Sequence, residues 1–249
     1  MKDKNIIITG CTSGIGKKLA LELDLMNANL ILIARDEHKL KNMCESMKNK
    51  KKHIRIILNL EDVESIAFNC EALPRRIDGF VHAAGVESVL PINNITYKRF
   101  DKIMRLHLYS FMEITKKIVS SKRKGNAFNT SVVLLSSVAA NNGGIGQTMY
   151  SASKAALEAT IKTLSKELRS KKIRLNAIRP GLVDTEMTER WMKRIGISSK
   201  TELNDLQLSG VAKVEEITSL IRFLLSDNSK HIVATCIPID GGGFVGKMG

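Results

Sequence analysis

The sequence predicts a single α/β domain built on a mostly parallel, doubly wound seven-stranded sheet of the Rossmann kind. Two observations carry that prediction. Apolar runs of strand length recur at Asn5 to Thr9, Leu30 to Ala34, Ile54 to Leu58, Gly79 to His82, Ser131 to Ser136, Ile173 to Ile178 and Ile232 to Pro238. Most are continuous β-branched or Leu-rich runs, the pattern of strands covered on both faces. Longer amphipathic stretches alternate with them, among them Gly16 to Asn27, Tyr97 to Ser121, Met149 to Ser170 and Val214 to Ser226. Strand and helix alternating throughout imply parallel strands, right-handed crossovers and a ligand crevice along one sheet edge.

The 249 residues suit one such domain over 1–249, and a hydrophobic content of 43% supplies its core. Met1-Lys2-Asp3-Lys4 runs straight into Ile6-Ile7-Ile8, too short an apolar run for a signal peptide. No stretch approaches the roughly 20 apolar residues of a membrane span. The expectation is a cytoplasmic protein without a membrane partner. Cys11, Cys44, Cys70 and Cys236 form no C-x-x-C pair and no zinc spacing, so reduced thiols and no metal are expected. Cys11 falls in the glycine turn described next, where its oxidation would hinder a ligand.

The net charge is +14, with basic clusters at Lys48 to Lys52, at Lys116-Lys117 with Lys122 to Lys124, and at Lys171 to Arg174. Aromatics make up only 4% and offer no base-stacking platform, so no nucleic acid is expected. Solvated helix faces account for the lysines, and attraction of an anionic substrate or carrier is the other reading. Residues 186–210, with Trp191, Gly196 and a Ser-Ser-Lys-Thr run, break the alternation and are expected to form a lid over the site.

The first strand ends in Thr9-Gly10-Cys11-Thr12-Ser13-Gly14-Ile15-Gly16. Gly10 permits a tight turn, Gly14 lets the backbone approach a pyrophosphate, and Gly16 lets the following helix pack closely. A helix starting at Gly16 aims its positive end and free N–H groups at the phosphates. The second strand ends Ile33-Ala34-Arg35-Asp36. An NAD site places an acid at that strand end; here Ala34 stands there and Arg35 follows, able to pair with a 2′-phosphate. NADP(H) is therefore expected, with NAD(H) the alternative through Asp36.

Tyr150 and Lys154 stand four apart, one turn of a helix, so they share a face. A nearby ammonium lowers a phenol's pKa toward the working range. Ser137, at the end of the strand before them, is the candidate hydroxyl for holding a substrate oxygen. With the first-strand glycines, this set resembles the short-chain dehydrogenase/reductase family over nearly the whole chain. The resemblance implies that Tyr150 protonates a carbonyl oxygen, Ser137 hydrogen-bonds it, and Lys154 lowers the tyrosine pKa and binds a ribose. It implies that Thr9 to Gly16 hold the cofactor, with Thr12, Ser13 and Ile15 among the contacts. It places Asn59 and Leu60 at the adenine, and Ala84 and Gly85 after the fourth strand. Arg179-Pro180-Gly181, with Val183 and Thr185, resembles the segment bordering the nicotinamide. Ile237 to Gly242 resembles the family's last strand and turn, and a homotetramer or dimer is implied.

The chain departs from the family pattern at several places. It reads His82-Ala83-Ala84-Gly85 where the family has Asn-Asn-Ala-Gly, Asn59-Leu60 in place of Asp-Val or Asp-Leu, and Leu134 in place of an Asn. His107 stands where a helix Asn holds the water of a proton relay to the lysine, so His107 is either a relay member or a satisfied structural imidazole. The general layout, Gly146-Gln147 before Tyr150 and the short C-terminus are similar to 3-oxoacyl-carrier-protein reductases, implying an acyl-carrier-bound carbonyl substrate. A small sugar or polyol is the rival substrate, and a non-catalytic NADP-binding sensor the rival function.

Overall fold

Ile6, Ile7 and Ile8 are all fully buried, but in different cores: Ile7 packs with Ile31, Ile33 and Val132 on one face of the sheet, Ile6 and Ile8 with Leu30, Leu32 and Val133 on the other. Successive side chains point to opposite faces of a strand, so a continuous apolar run is what a sheet covered on both sides requires. In the computed structural model, which describes residues 1–70, 73–121, 129–197, 199, 203 and 207–243, that pattern gives seven strands. They are β1 (Asn5–Thr9), β2 (Asn29–Ala34), β3 (Ile54–Ile57), β4 (Gly79–His82), β5 (Thr130–Leu135), β6 (Ile173–Pro180) and β7 (Cys236–Ile239). All pair in parallel, in the order β3-β2-β1-β4-β5-β6-β7. The order reverses between β1 and β4, where Thr9 pairs with His82, and ligands bind beyond the carboxyl ends of strands at such a switch point.

The crossovers are α1 (Gly14–Leu25), α2 (Glu37–Glu45), α3 (Val63–Asn69), α4 (Tyr97–Met104), α5 (Ser110–Ser121), the short α6 (Ala139–Asn142), α7 (Thr148–Glu167), α8 (Glu186–Ile195) and α9 (Val214–Leu225). The helix expected to run unbroken from Tyr97 to Ser121 is divided: residues Arg105–Tyr109 form a π-turn between α4 and α5. The cause is local. Ser110 Oγ donates to the Leu106 carbonyl at 2.7 Å and the His82 ring takes the His107 carbonyl, drawing both from the helical ladder. The last strand also starts later than expected. Ala234 adopts φ +58°, breaking the extended run; its amide still donates to the Leu175 carbonyl, and the strand itself begins at Cys236.

The first helix begins at Gly14, with Ser13 at the N-cap position, rather than at Gly16. Gly16 still earns its place, because a Cβ there would collide with the Gly10 carbonyl. The segment after β6 is anchored at its two ends, where Val183 bridges Ala212 and the Asp184 amide donates to the Ala212 carbonyl at 2.8 Å. The expected lid segment is thus a loop with pinned ends, and its described part opens with α8. Residues 198, 200–202 and 204–206 of it, and the Lys122 to Lys124 cluster, lie outside the described residues.

Candidate active site

A continuous groove runs along the carboxyl ends of the strands. Its wide end, about 720 Å³, is lined by Gly10, Thr12 and Ser13 of the glycine turn, Arg35 after β2, Asn59 and Leu60 after β3, and Ala84 and Gly85 after β4. The middle is bounded by Gly14, Ile15 and Gly16 on one side and Pro180, Gly181, Val183 and Thr185 on the other, with Ser137, Tyr150 and Lys154 at its floor. Beyond them a cavity of about 270 Å³ shares Ser137, Tyr150 and Gly181 with the middle section and adds Glu87, Asn142, Gln147 and Trp191. Every residue expected to touch a cofactor therefore faces one groove.

The glycines are those the groove needs. Gly10 has φ +66°, and a Cβ on it would stand 2.8 Å from the Ala84 backbone. Gly14 has φ +48°, a conformation that disfavours any side chain. The Ser13 side chain makes no cap bond, so the first N–H groups of α1 remain open to an anion. Arg35 is exposed in the wide end, beside Lys17 and Lys39. Asp36 is already committed, since its Oδ1 accepts from the Lys39 amide at 2.9 Å and caps α2.

Tyr150 and Lys154 lie on one face of α7, and Lys154 Nζ sits 5.8 Å from the Tyr150 ring centre. Nζ donates to the Leu135 carbonyl at 2.7 Å, at the end of β5. Burial brings the Lys154 ammonium down to about 8, with the Glu158 charge acting against it. The tyrosine differs from expectation. Burial pushes the phenol above its ordinary range, the nearby Ser137 hydroxyl pulls it back, and the Glu87 carboxylate adds to the rise. With Nζ turned to Leu135, desolvation rather than the ammonium governs the free phenol.

His107 lies outside the groove, fully buried, its ring edge-on to Tyr150 at 5.9 Å. Its Nε2 accepts from the Val86 amide at 3.0 Å, which fixes the proton on Nδ1. Nδ1 then donates to Ser153 Oγ at 2.8 Å, and Ser153 donates to the Tyr150 carbonyl at 2.7 Å. Burial and the neighbouring Lys154 charge hold the ring far below the usual imidazole range. A Cβ on Gly85 would stand 3.1 Å from His107 Nε2 and 3.4 Å from Lys154 Nζ, so a larger residue there would crowd His107.

Cys11 does not border the groove. It is fully buried, its Sγ donates to the Ile33 carbonyl at 3.6 Å, and burial pushes the thiol up to about 12, which leaves it unreactive. The oxidation effect expected at this position is therefore unsupported. The four cysteines are free, and no cluster of metal-ligating side chains occurs among the described residues. No described helix is long and apolar enough to cross a membrane.

Some residues that shape the site escaped the sequence reading. Glu158 continues the Tyr150 and Lys154 face by one more turn. It takes the Ser136 hydroxyl at 2.5 Å and both forks of Arg179, at 2.8 and 2.5 Å, locking α7 to the ends of β5 and β6. Its spacing of four from Lys154 was the available signal. Arg190, Arg194 and Glu87 gave none, because only the fold of α8 over the groove brings them there.

Comparison with known proteins places these features in context. Residues 10–243 match the family model described as enoyl-(acyl carrier protein) reductase. The chain is 31% identical over 246 residues to a 3-oxoacyl-[acyl-carrier-protein] reductase of Thermotoga maritima, covering 97% of this chain and 98% of that one. It is also 31% identical over 242 residues to an L-xylulose reductase of Caenorhabditis elegans, covering 96% and 95%. Among solved structures, a short-chain type dehydrogenase/reductase from Mycobacterium ulcerans superposes with a TM-score of 0.87 at 25% identity, covering 98% and 91%.

Proposed function

The chain belongs to the short-chain dehydrogenase/reductase family, and from that premise we propose that it is an NADP(H)-dependent oxidoreductase interconverting a ketone and a secondary alcohol. The observation that carries this reading is the meeting of Ser137 and Tyr150 where the cofactor-sized groove joins the smaller cavity, with Lys154 buried beneath. The glycine cradle and the open N-terminus of α1 fit a dinucleotide pyrophosphate, and Arg35 fits a 2′-phosphate. NAD(H) is the lesser reading, since Asp36, the acid that would take a ribose hydroxyl, is spent on the α2 cap.

When bound, a reduced nicotinamide supplies the hydride. The chain's own residues handle the oxygen and the proton. Ser137 donates to the carbonyl oxygen and fixes its position. Tyr150 gives that oxygen its proton during reduction and removes it during oxidation. Lys154 holds a ribose hydroxyl and, once turned from Leu135 toward the phenol, favours the phenolate. His107 supports Tyr150 and Lys154 from behind the groove; as a relay member it would first have to release Val86. Within the expected lid, α8 borders the smaller cavity through Met187, Thr188 and Trp191, which suits a covering role.

For the substrate, an acyl-carrier-bound 3-oxo group is supported by the Thermotoga maritima relative and by the charge of +14, and a sugar by the Caenorhabditis elegans one. A cytoplasmic setting fits the four free thiols. A homotetramer or dimer is supported by the family likeness and by exposed apolar side chains such as Phe68 and Tyr97, and light scattering decides it.

NADPH oxidation against a panel of ketones, including a 3-oxoacyl thioester and several ketoses, tests the reading. Turnover with at least one class, reduced 10³-fold or more in Tyr150→Phe, is the expected result. Cofactor binding without turnover of any ketone would favour a sensor instead.

A further inference from the structure

Glu87 has no part in the chemistry above, yet it faces the reacting groups. It lies two residues past Gly85 on the segment leaving β4, and lines the 270 Å³ cavity with Ser137 and Tyr150. Its side chain is only 9% exposed, and Oε1 pairs with Arg194 of α8 at 2.9 Å. Oε2 is buried and has no hydrogen-bond partner among the described residues.

A carboxylate only accepts hydrogen bonds, and a buried acceptor left without a donor is costly. The charge also works against catalysis, because it raises the Tyr150 phenol further. Such a group is tolerated where a ligand completes it. Among the described residues, the side chains around the cavity do not. Gln207 is committed to the backbone, its Oε1 taking the Leu182 amide and its Nε2 donating to the Gly210 carbonyl. A donor carried by the substrate completes the carboxylate. The hydrocarbon tail of an acyl thioester brings none, whereas a hydroxyl near the carbonyl does. The cavity is also at the small end of ligand sites, which suits a compact polar molecule better than a long chain.

We propose that Glu87 sets substrate specificity: its Oε2 accepts a hydrogen bond from a substrate hydroxyl, so the site takes a small polyhydroxylated ketone and its polyol. Arg194 orients the carboxylate and, through it, ties α8 across the mouth of the cavity. This assignment rests on the carbonyl-reductase reading above and names its substrate class.

The test uses the full chain loaded with cofactor, as wild type, Glu87→Gln, Glu87→Leu and Arg194→Met, each checked for an unaltered thermal transition. Turnover of a set of ketopentoses and ketohexoses is compared with that of an acetoacetyl thioester. Separately, calorimetry measures pentitol and hexitol binding to the NADP⁺-loaded protein. Wild type should favour a ketose over the thioester at least tenfold in kcat/KM. In Glu87→Leu that ratio should fall tenfold or more, and polyol affinity should fall with it. Glu87→Gln, which keeps an acceptor, and Arg194→Met, which leaves the carboxylate less fixed, should lose less. An unchanged ratio, or polyol binding that is absent or indifferent to Glu87, overturns the proposal and leaves the reductase reading standing. Glu87-dependent polyol binding without turnover of any ketone would keep the Glu87 assignment and overturn the reductase reading.

Discussion

His82 Nε2 donates to the main-chain carbonyl of His107 across 3.1 Å, so the end of β4 is bonded directly into the π-turn between α4 and α5. The other ring nitrogen accepts from Thr9 Oγ1 at 3.0 Å, and Thr9 Oγ1 itself accepts from the Ala84 amide at 3.2 Å. One neutral imidazole therefore joins β1, β4 and the helix behind Tyr150. Burial, with the Lys154 charge adding to it, takes its pKa down to about 3.

The pH dependence follows with a definite sign. An unfolded histidine titrates near 6.5, so between about pH 6.5 and pH 3 the unfolded chain binds a proton that the folded one does not. Stability from His82 is complete above pH 6.5 and is lost as pH falls, at about 1.4 kcal/mol per pH unit. Denaturant unfolding of His82→Asn between pH 6.5 and 4 should show a slope shallower than wild type by roughly 1 kcal/mol per unit. An equal slope would mean that the folded state accepts the proton at His82.

Replacing Lys154 should separate activity from stability. The group is buried and its pKa is lowered to about 8. Between pH 8 and the unfolded value near 10.5, only the unfolded chain holds the proton, so stability is complete above 10.5 and lost as pH falls toward 8. Near pH 7 the full penalty applies. Lys154→Met removes the charge while filling the space, at the loss of the bond to Leu135. The variant should be more stable than wild type by about 1–3 kcal/mol near pH 7 and nearly inactive. A destabilised variant would show that the Leu135 bond outweighs the desolvation.

Arg35→Ala should act on one cofactor only. Arg35 is exposed one residue past Ala34, which stands where an NAD site has an acid, and Asp36 beside it caps α2. Loss of a charge-assisted phosphate contact of about 1.5–3 kcal/mol should raise the KM for NADPH roughly 10- to 100-fold. The KM for NADH should move far less. Wild type that prefers NADH and is indifferent to this substitution would remove the 2′-phosphate assignment.

The sheet was legible because buried parallel strands write themselves as unbroken apolar runs, of which Ile6 to Ile8 are the plainest. The glycine turn was legible because Gly10 and Gly16 are dictated by backbone contacts within a few residues and one neighbouring loop. Strand and helix ends read less well. Ala234 breaks β7 by its backbone angle, and the π-turn exists because His82, 25 residues away in sequence, takes a helix carbonyl. The same reason hid Glu87 and Arg194. Each is an ordinary surface-type residue in sequence, and only the passage of α8 over the loop after β4 makes them an ion pair with Glu87 buried beneath a half-exposed Arg194.

Glu158 is the support whose loss should be felt furthest. It is 8% exposed and Arg179 is 21% exposed, so the pair is largely removed from water. Deleting one partner of a buried pair leaves the other charge uncompensated, and typically costs 3–5 kcal/mol. Arg179 retains some access to solvent, so Glu158→Ala should fall toward about 3 kcal/mol. Ser136 loses its acceptor in the same variant, and Ser136 precedes Ser137 directly. The turnover number should therefore fall as well, although Glu158 touches neither substrate nor cofactor. Glu158→Gln keeps the shape and one acceptor and should recover part of the turnover while stability stays low. Equal turnover of the alanine variant and wild type, measured well below its melting temperature, would confine Glu158 to a stabilising role.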